Sequence, residues 1–286
     1  MTGACHPERS EGSSQYRRKK TMTILDRLAE HARERTEEAK RHISLEDMKR
    51  RALSMSKNGR LGEFPFEKAL RREGISFICE CKKASPSKGI IAEDFPYLQI
   101  AKEYEAAGAD AISVLTEPKW FLGSTRYLEE IAAEVSIPCL RKDFTVDPYM
   151  IYEAKVLGAS AVLLICSILT EEELSEYHAL AEELGLSVLV ETHDGSEVET
   201  ALRIGARILG VNNRNLNDFS VDTENSRRLR ERVPSDILFV SESGIRTPED
   251  IRDLKSGGVD AVLIGEALMK AEDKKKMLTE MRGNGL

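Results

Sequence analysis

Gly108-Ala109-Asp110-Ala111-Ile112-Ser113-Val114-Leu115 is the first of four versions of one pattern in this chain. The others are Gly158-Ala159-Ser160 before Ala161-Val162-Leu163-Leu164-Ile165, Gly205-Ala206-Arg207 before Ile208-Leu209-Gly210-Val211-Asn212, and Gly258-Val259-Asp260 before Ala261-Val262-Leu263-Ile264-Gly265. Glycine ends a helix in a left-handed cap, and the small residue after it lets the chain turn tightly into a strand. The pattern recurs at intervals of about 50 residues, which is the length of two strand–helix units.

Between these copies lie the other strand-like runs. They are Phe77-Ile78-Cys79-Glu80-Cys81-Lys82, Cys139-Leu140-Arg141-Lys142, Ser187-Val188-Leu189-Val190-Glu191 and Ile237-Leu238-Phe239-Val240-Ser241. Every gap holds an amphipathic helical pattern, so the strands are parallel. Eight such units over about 210 residues match a closed (β/α)8 TIM barrel. A doubly wound open sheet would place a glycine-rich turn after its first strand. Here that place holds Lys83-Ala84-Ser85-Pro86-Ser87-Lys88-Gly89, which favours the barrel.

The barrel starts near Gly74, and the residues before it divide in two. Residues 1–21 are rich in Ser, Gly, Arg and Glu without apolar periodicity and read as a disordered leader. Met22, just before the first periodic segment, fits a start site with the leader dispensable. From Thr23 to about Arg41 a charged helix with a sparse apolar face is expected, then a short helix over Phe66–Arg72. The barrel domain, 22–286, thus carries an N-terminal helical extension over about 22–73. Its helical segment from Thr23 to Arg41 is expected to cover the active-site mouth.

Composition limits the function. The 286 residues are 41% hydrophobic, which is enough for a sizeable core. Apolar runs reach only about six residues, against the roughly 18–20 needed to span a bilayer as a helix. No apolar stretch follows Arg17-Arg18-Lys19-Lys20, so no secretory signal is legible. The net charge is −7, and the leader is basic, so the rest is more acidic still. Such a chain is a poor general binder of nucleic acid. Four of the five cysteines sit in apolar strand-like runs, which fits buried reduced thiols in the cytoplasm. No metal motif stands out, because Cys79-x-Cys81 lacks a second pair at ligand spacing. His193 reads as a turn residue, and no nucleophile–histidine–acid set is present.

In a barrel the chemistry lies at the C-terminal ends of the strands. Those ends read Glu80-Cys81-Lys82, Arg141-Lys142-Asp143-Phe144, Glu191-Thr192-His193, Asn212-Asn213-Arg214, Glu242-Ser243-Gly244 and Gly265-Glu266. Alternation points Glu80 and Lys82 into the mouth and Cys79 and Cys81 toward the helices. Two lysines and two carboxylates converging there would pair with one another rather than remain buried alone. Ser243-Gly244-Ile245 and Gly265-Glu266-Ala267 follow the last two strands, where barrels commonly hold phosphate. Ser85 could add a hydroxyl. Glu266 would offer its backbone N–H and turn its carboxylate away.

These strand ends, in this order, resemble indole-3-glycerol phosphate synthases of tryptophan biosynthesis. The matching stretches are Glu80-Cys81-Lys82-Lys83-Ala84-Ser85-Pro86-Ser87, Leu140-Arg141-Lys142-Asp143-Phe144, Leu189-Val190-Glu191, Val211-Asn212-Asn213-Arg214-Asn215-Leu216 and Ser241-Glu242-Ser243-Gly244-Ile245. The resemblance runs from about Thr23 onward. It implies a carboxy-lyase that closes 1-(2-carboxyphenylamino)-1-deoxyribulose 5-phosphate to indole-3-glycerol phosphate, with loss of CO2 and water and with no cofactor. It implies Lys142 as general acid for ring closure and carboxylate binding, and Lys82 as the acid for dehydration. Glu80 and Glu191 would orient the lysines, one of them serving as base, with Asn212 and Ser243 as polar supports. The resemblance also implies that Arg214 contacts the carboxylate. Trp120, Phe121, Phe144 and Leu163 would form the pocket for the anthranilate ring. Ser85, Gly244, Gly265 and Glu266 complete the substrate contacts. A monomer is expected, able to associate with other enzymes of the tryptophan pathway. The rival readings are another phosphosugar barrel such as phosphoribosylanthranilate isomerase, with Cys81 as base, and a non-catalytic barrel that binds a phosphometabolite.

Overall fold

A computed structural model describes residues 22–58, 63–215 and 218–283. The leader and Leu216 lie outside the described residues.

Eight parallel strands close on themselves: β1 (Ser76–Cys81), β2 (Ala111–Leu115), β3 (Cys139–Lys142), β4 (Ala161–Ile165), β5 (Ser187–Thr192), β6 (Ile208–Asn212), β7 (Leu238–Glu242) and β8 (Ala261–Ile264). Each pairs with its neighbours in sequence, and β8 pairs with β1 through Ser76 opposite Ala261 and Cys79 opposite Ile264. The ring has no open edge, which excludes the doubly wound alternative. Gly108, Gly158, Gly205 and Gly258 all have φ between 78° and 88°, as the repeat predicts. At the first of them Ala109 N–H donates to the Tyr104 carbonyl and Gly108 N–H to that of Glu105, closing the helix end before β2.

Period two divides the strands between two cores. Ile78, Leu140, Leu163, Leu189, Val240 and Leu263 fill the barrel. Cys79, Cys81, Ile112, Val162, Leu209 and Phe239 face outward beneath the helices. Three cysteines are fully buried and Cys166 partly, all of them reduced. The floor is sealed by α3 (Pro65–Leu70), whose Phe66 and Leu70 join the inner core. It ends two residues earlier than the sequence suggests.

The extension has more structure than expected. Thr23 caps α1 (Ile24–His42) in a reciprocal box with Asp26. The next helix, α2 (Leu45–Asn58), has no counterpart in the sequence reading; it packs on the helix Pro148–Val156 through Met48 and Ala52. Helix α1 lies over the C-terminal end of the barrel. Its Ala29 and Ala32 pack on Val146 and Met150. Three polar ties hold it there: His31 Nδ1 to Glu117 at 3.1 Å, Arg35 to Asp143 at 2.8 Å and Lys40 to Asp147 at 2.7 Å. The loop after β1 is also more ordered than its composition implies, since Ala84–Ser85 and Gly89–Ile90 pair antiparallel.

Candidate active site

One cavity of about 400 Å³ opens at the C-terminal end of the barrel beneath Ile24, Leu25 and Leu28 of α1. Glu80, Lys82, Ser85, Phe121, Lys142, Phe144, Leu163, Glu191, Asn212, Arg214, Ser243, Gly244, Gly265 and Glu266 all line it. Residues up to 186 positions apart are brought together because they stand at or just beyond the C-terminal ends of the strands.

The ion pairs come from alternation along the strands. Lys82 Nζ bonds Glu80 Oε1, whose other oxygen accepts from Ser113 Oγ at 3.4 Å. Across the mouth Lys142 Nζ lies 3.3 Å from Glu191 and 3.4 Å from Glu242. Glu242 was not among the residues expected to act. The sequence reading ended its strand at Ser241, whereas β7 continues through Glu242. Leu238 and Val240 face inward, and the same period puts Glu242 in the mouth, so the signal was there to read. Gly210 on β6 leaves room for it, since a Cβ there would come within 2.5 Å of Glu242 Oε1.

Burial sets the charges. Desolvation opposes the Lys142 ammonium, but Glu242, Glu191 and Glu80 outweigh it and hold its pKa well above the ordinary value. For Glu191, burial pushes upward, yet Lys142, His193 and the Asn212 amide bring the carboxyl below its ordinary value. Glu242 is the group that yields. Burial raises it most; Lys142 pulls it back, Glu191 and Glu80 push it up again, and it is left at about 7. The mouth of the free protein therefore holds an ammonium, a carboxylate and a carboxyl that titrates near neutrality.

A polar chain orients these groups. Asn212 Nδ2 donates to Glu191 Oε1 at 3.3 Å, and Ser243 Oγ donates to Asn212 Oδ1 at 2.9 Å. Ser243 has φ of 68°, a strained backbone for a residue with a side chain. Asn213 Nδ2 holds its carbonyl from behind at 3.1 Å. Arg214 donates to the Phe219 carbonyl while lining the cavity.

The apolar wall is Phe121 and Phe144, with ring centroids 6.1 Å apart, together with Leu163 and Leu115. Trp120 is not part of it, contrary to expectation. Its ring stands edge-on to His31 of α1, at 5.3 Å, outside the cavity. Glu117, fully buried and missed from the sequence, accepts the backbone N–H groups of Lys119, Trp120 and Phe121 and so shapes the loop that presents Phe121. Glu266 turns its carboxylate to Lys270 at 2.7 Å, leaving its backbone at the start of a short helix beside the cavity. His193 is more than a turn residue: its ring lies between Glu191 and Glu197.

Ammonium and carboxyl groups that hold complementary protonation states in a half-enclosed, aromatic-walled mouth are equipped for proton transfer. Fold and site together define a (β/α)8-barrel enzyme of the acid–base kind. Residues 25–281 match the profile of the indole-3-glycerol phosphate synthase family, and the chain belongs to that family. It is 56% identical over 261 residues to an indole-3-glycerol phosphate synthase of Ruminiclostridium cellulolyticum, covering 91% of this chain and 99% of the relative. It is 52% identical over 267 residues to that of Lachnoclostridium phytofermentans, covering 91% and 98%. Among solved structures, KGPDC from Streptococcus mutans superposes with a TM-score of 0.58 at 10% identity, covering 74% of this chain and 97% of the other. The tryptophan synthase α2β2 complex of Pyrococcus furiosus gives 0.56 at 15%, covering 73% and 98%. At such identities these two share the fold alone.

Proposed function

We propose that this chain is a carboxy-lyase of tryptophan biosynthesis that converts 1-(2-carboxyphenylamino)-1-deoxyribulose 5-phosphate to indole-3-glycerol phosphate. Lys142 carries the reading: it is an ammonium kept charged between Glu191 and Glu242, at the base of an aromatic wall. The ring carbon bearing the carboxylate is a weak nucleophile, so the ketone must be activated as its alkoxide develops. Lys142 donates that proton and pairs with the substrate carboxylate. CO2 leaves and restores the aromatic ring. Lys82, poised on Glu80, protonates the departing hydroxyl, and a carboxylate takes the ring-side proton.

Glu80 and Glu191 support the lysines, and Glu242 joins them as a third carboxyl that titrates at the working pH. Phe121, Phe144 and Leu163 hold the anthranilate ring, while Arg214, with Asn212 and Ser243 behind it, faces the substrate carboxylate. Ser85, Gly244, Gly265 and the backbone of Glu266 receive the phosphate. None of these steps calls for a cofactor.

Residues 22–286 form one barrel domain with its N-terminal helices in this reading, working as a monomer in the cytoplasm, open to association with enzymes of the same pathway. Among the described residues no helix is long and apolar enough to cross a membrane. The isomerase reading is disfavoured by Cys81, which is buried on the outer face of β1 with its thiol pushed well up by desolvation. A silent binder would need the phosphate loops alone. Incubation of the purified protein with the carboxyphenylamino-deoxyribulose phosphate should produce indole absorbance and fluorescence with release of CO2. Absence of both from folded protein refutes the assignment.

A further inference from the structure

The proposed reaction does not balance in protons within the active site. Ring closure takes one proton onto the ketone oxygen. The carboxylate then leaves as CO2, and its bonding pair returns to the ring. Dehydration takes a second proton onto the leaving hydroxyl and gives one back from the ring side. Two protons are donated and one is recovered, so each turnover draws one proton from outside. Substrate fills the cavity under α1 while this happens, and Lys142 lies at the buried end.

His193 stands on the other side of Glu191 from Lys142. Its ring is held from the outside: Nδ1 lies 3.2 Å from Glu197 Oε2 and 3.2 Å from Ser167 Oγ. Ser167 Oγ itself donates to Glu197 Oε1 at 2.6 Å, so it can accept at its lone pairs. A carboxylate only accepts, so Nδ1 carries the hydrogen. That leaves Nε2 buried, 3.5 Å from Glu191 Oε1 and without a hydrogen-bond partner among the described residues. Two lone pairs cannot face each other across that gap without cost. A proton belongs there, on the imidazole or on the carboxyl. Ser167 is exposed and the Glu197 side chain is partly so, which puts the outer end of this row in contact with solvent.

We propose that Ser167, Glu197 and His193 form a proton relay that recharges the Glu191–Lys142 pair from solvent after each turnover. The inference rests on the functional reading above and adds to it a route for the missing proton. The Nε2 proton of the imidazolium passes to Glu191 and from there to Lys142, 3.3 Å away, leaving a neutral ring with its hydrogen on Nδ1; a turn of the ring about Cβ–Cγ then brings the bare nitrogen to Ser167 and Glu197, where it takes a proton from solvent before the ring turns back. His193 touches no reacting atom in this scheme; it is a positioning residue that acts through Glu191. The groups facing it support an imidazolium. Burial lowers its pKa, but the bond to Glu197 and the charges of Glu191, Glu197 and Glu242 raise it above the ordinary value overall. Asp194 and Glu197 face it from the helix Gly195–Arg203 and its cap, Ser167 from the turn after β4, and Asn225 Nδ2 binds its carbonyl at 3.0 Å from the helix Glu224–Arg230.

His193→Gln keeps an amide donor toward Glu191 but cannot pass a proton through. A relay is needed more for later turnovers than for the first, because Lys142 starts charged. Excess-enzyme single turnovers and steady-state rates should be compared for wild type, His193→Gln and Glu197→Gln, with folding checked by circular dichroism. Both variants should slow the steady state about tenfold more than the first turnover. Small acids such as imidazolium should restore the steady state in proportion to their concentration, and wild type should not respond. The basic limb of the wild-type pH profile should disappear in His193→Gln. Equal losses in both phases without buffer rescue, or unchanged steady-state rates in either variant, would overturn the relay. If wild type itself makes no indole product, the functional reading fails instead.

Discussion

Lys142 reaches two buried carboxyl groups at 3.3 and 3.4 Å, so truncating it removes a proton donor and leaves those groups facing each other. Lys142→Ala should lower turnover about 10²–10⁴-fold and raise the Michaelis constant if, as proposed, the same ammonium pairs with the substrate carboxylate. Lys82→Ala should fail later, with the ring-closed, decarboxylated species accumulating in rapid-quench samples. Normal product formation without that species would show the role given to Lys82 to be wrong. Glu242 gives a test through stability. Its carboxyl ionises near 4.5 in the unfolded chain and at about 7 in the folded protein. A raised acid stabilises the fold fully below pH 4.5, and that contribution is lost as the pH climbs to about 7. Glu242→Gln does not titrate. Its stability in urea should therefore rise relative to wild type by about 2–3 kcal/mol between pH 4.5 and 7.5. A constant difference across that range would place Glu242 at its ordinary value.

Helix α1 is an element attached to a barrel that closes without it. Its buried face is small, Leu28, Ala29, Ala32 and Thr36, and its ties are the polar contacts of His31, Arg35 and Lys40. Arg35 matters most, because Asp143 on the β3 end is fully buried and also accepts from Thr116 at 2.6 Å. A chain beginning at Leu45 should retain a cooperative thermal transition and far-UV dichroism of a barrel. Its Michaelis constant should rise at least about tenfold, a loss of roughly 1.4 kcal/mol in binding, because Ile24, Leu25 and Leu28 no longer roof the cavity. Wild-type affinity in the shortened chain would show that α1 does not act as a lid.

At the scale of the whole molecule, an acidic protein of net charge −7 must admit an anionic substrate. It does so by gathering Lys82, Lys142, Arg214, Arg246 and Lys270 around one mouth. If the phosphate sits by the last two strands, the whole substrate lies across the barrel with its ring toward Phe121 and Phe144. Glu266→Ser tests that placement. It removes a negative charge, adds a hydroxyl donor and releases Lys270 from its ion pair. Inorganic phosphate should then inhibit competitively about three- to tenfold more tightly, as one added charge-assisted hydrogen bond allows. Unchanged inhibition would move the phosphate elsewhere. Gly265→Val is the less specific probe, since a Cβ there would run into the Glu80 carboxylate and come within 2.9 Å of Lys82 Nζ.

The barrel and most of the residues at its mouth are legible in the chain. Both depend on short-range periodicity: glycine caps before alternate strands, period two within strands, and charged residues where apolar runs end. Side-chain direction along β1 was legible for the same reason, with Glu80 and Lys82 inward and the cysteines outward. Relations between residues far apart in the chain were not legible in that way. Glu242 meets Lys142 only once β3 and β7 face each other across the closed ring; burial there raises its carboxyl toward neutrality, and Lys142 holds it from rising further. Trp120 leaves the pocket because His31 of α1 is there to receive it. His193 becomes a link between Glu191 and Glu197 through the turn after β4, which brings Ser167 against it. Local pattern specifies which residues end each strand; only the closed barrel sets their distances and burial, and it is distance and burial that fix where the protons reside.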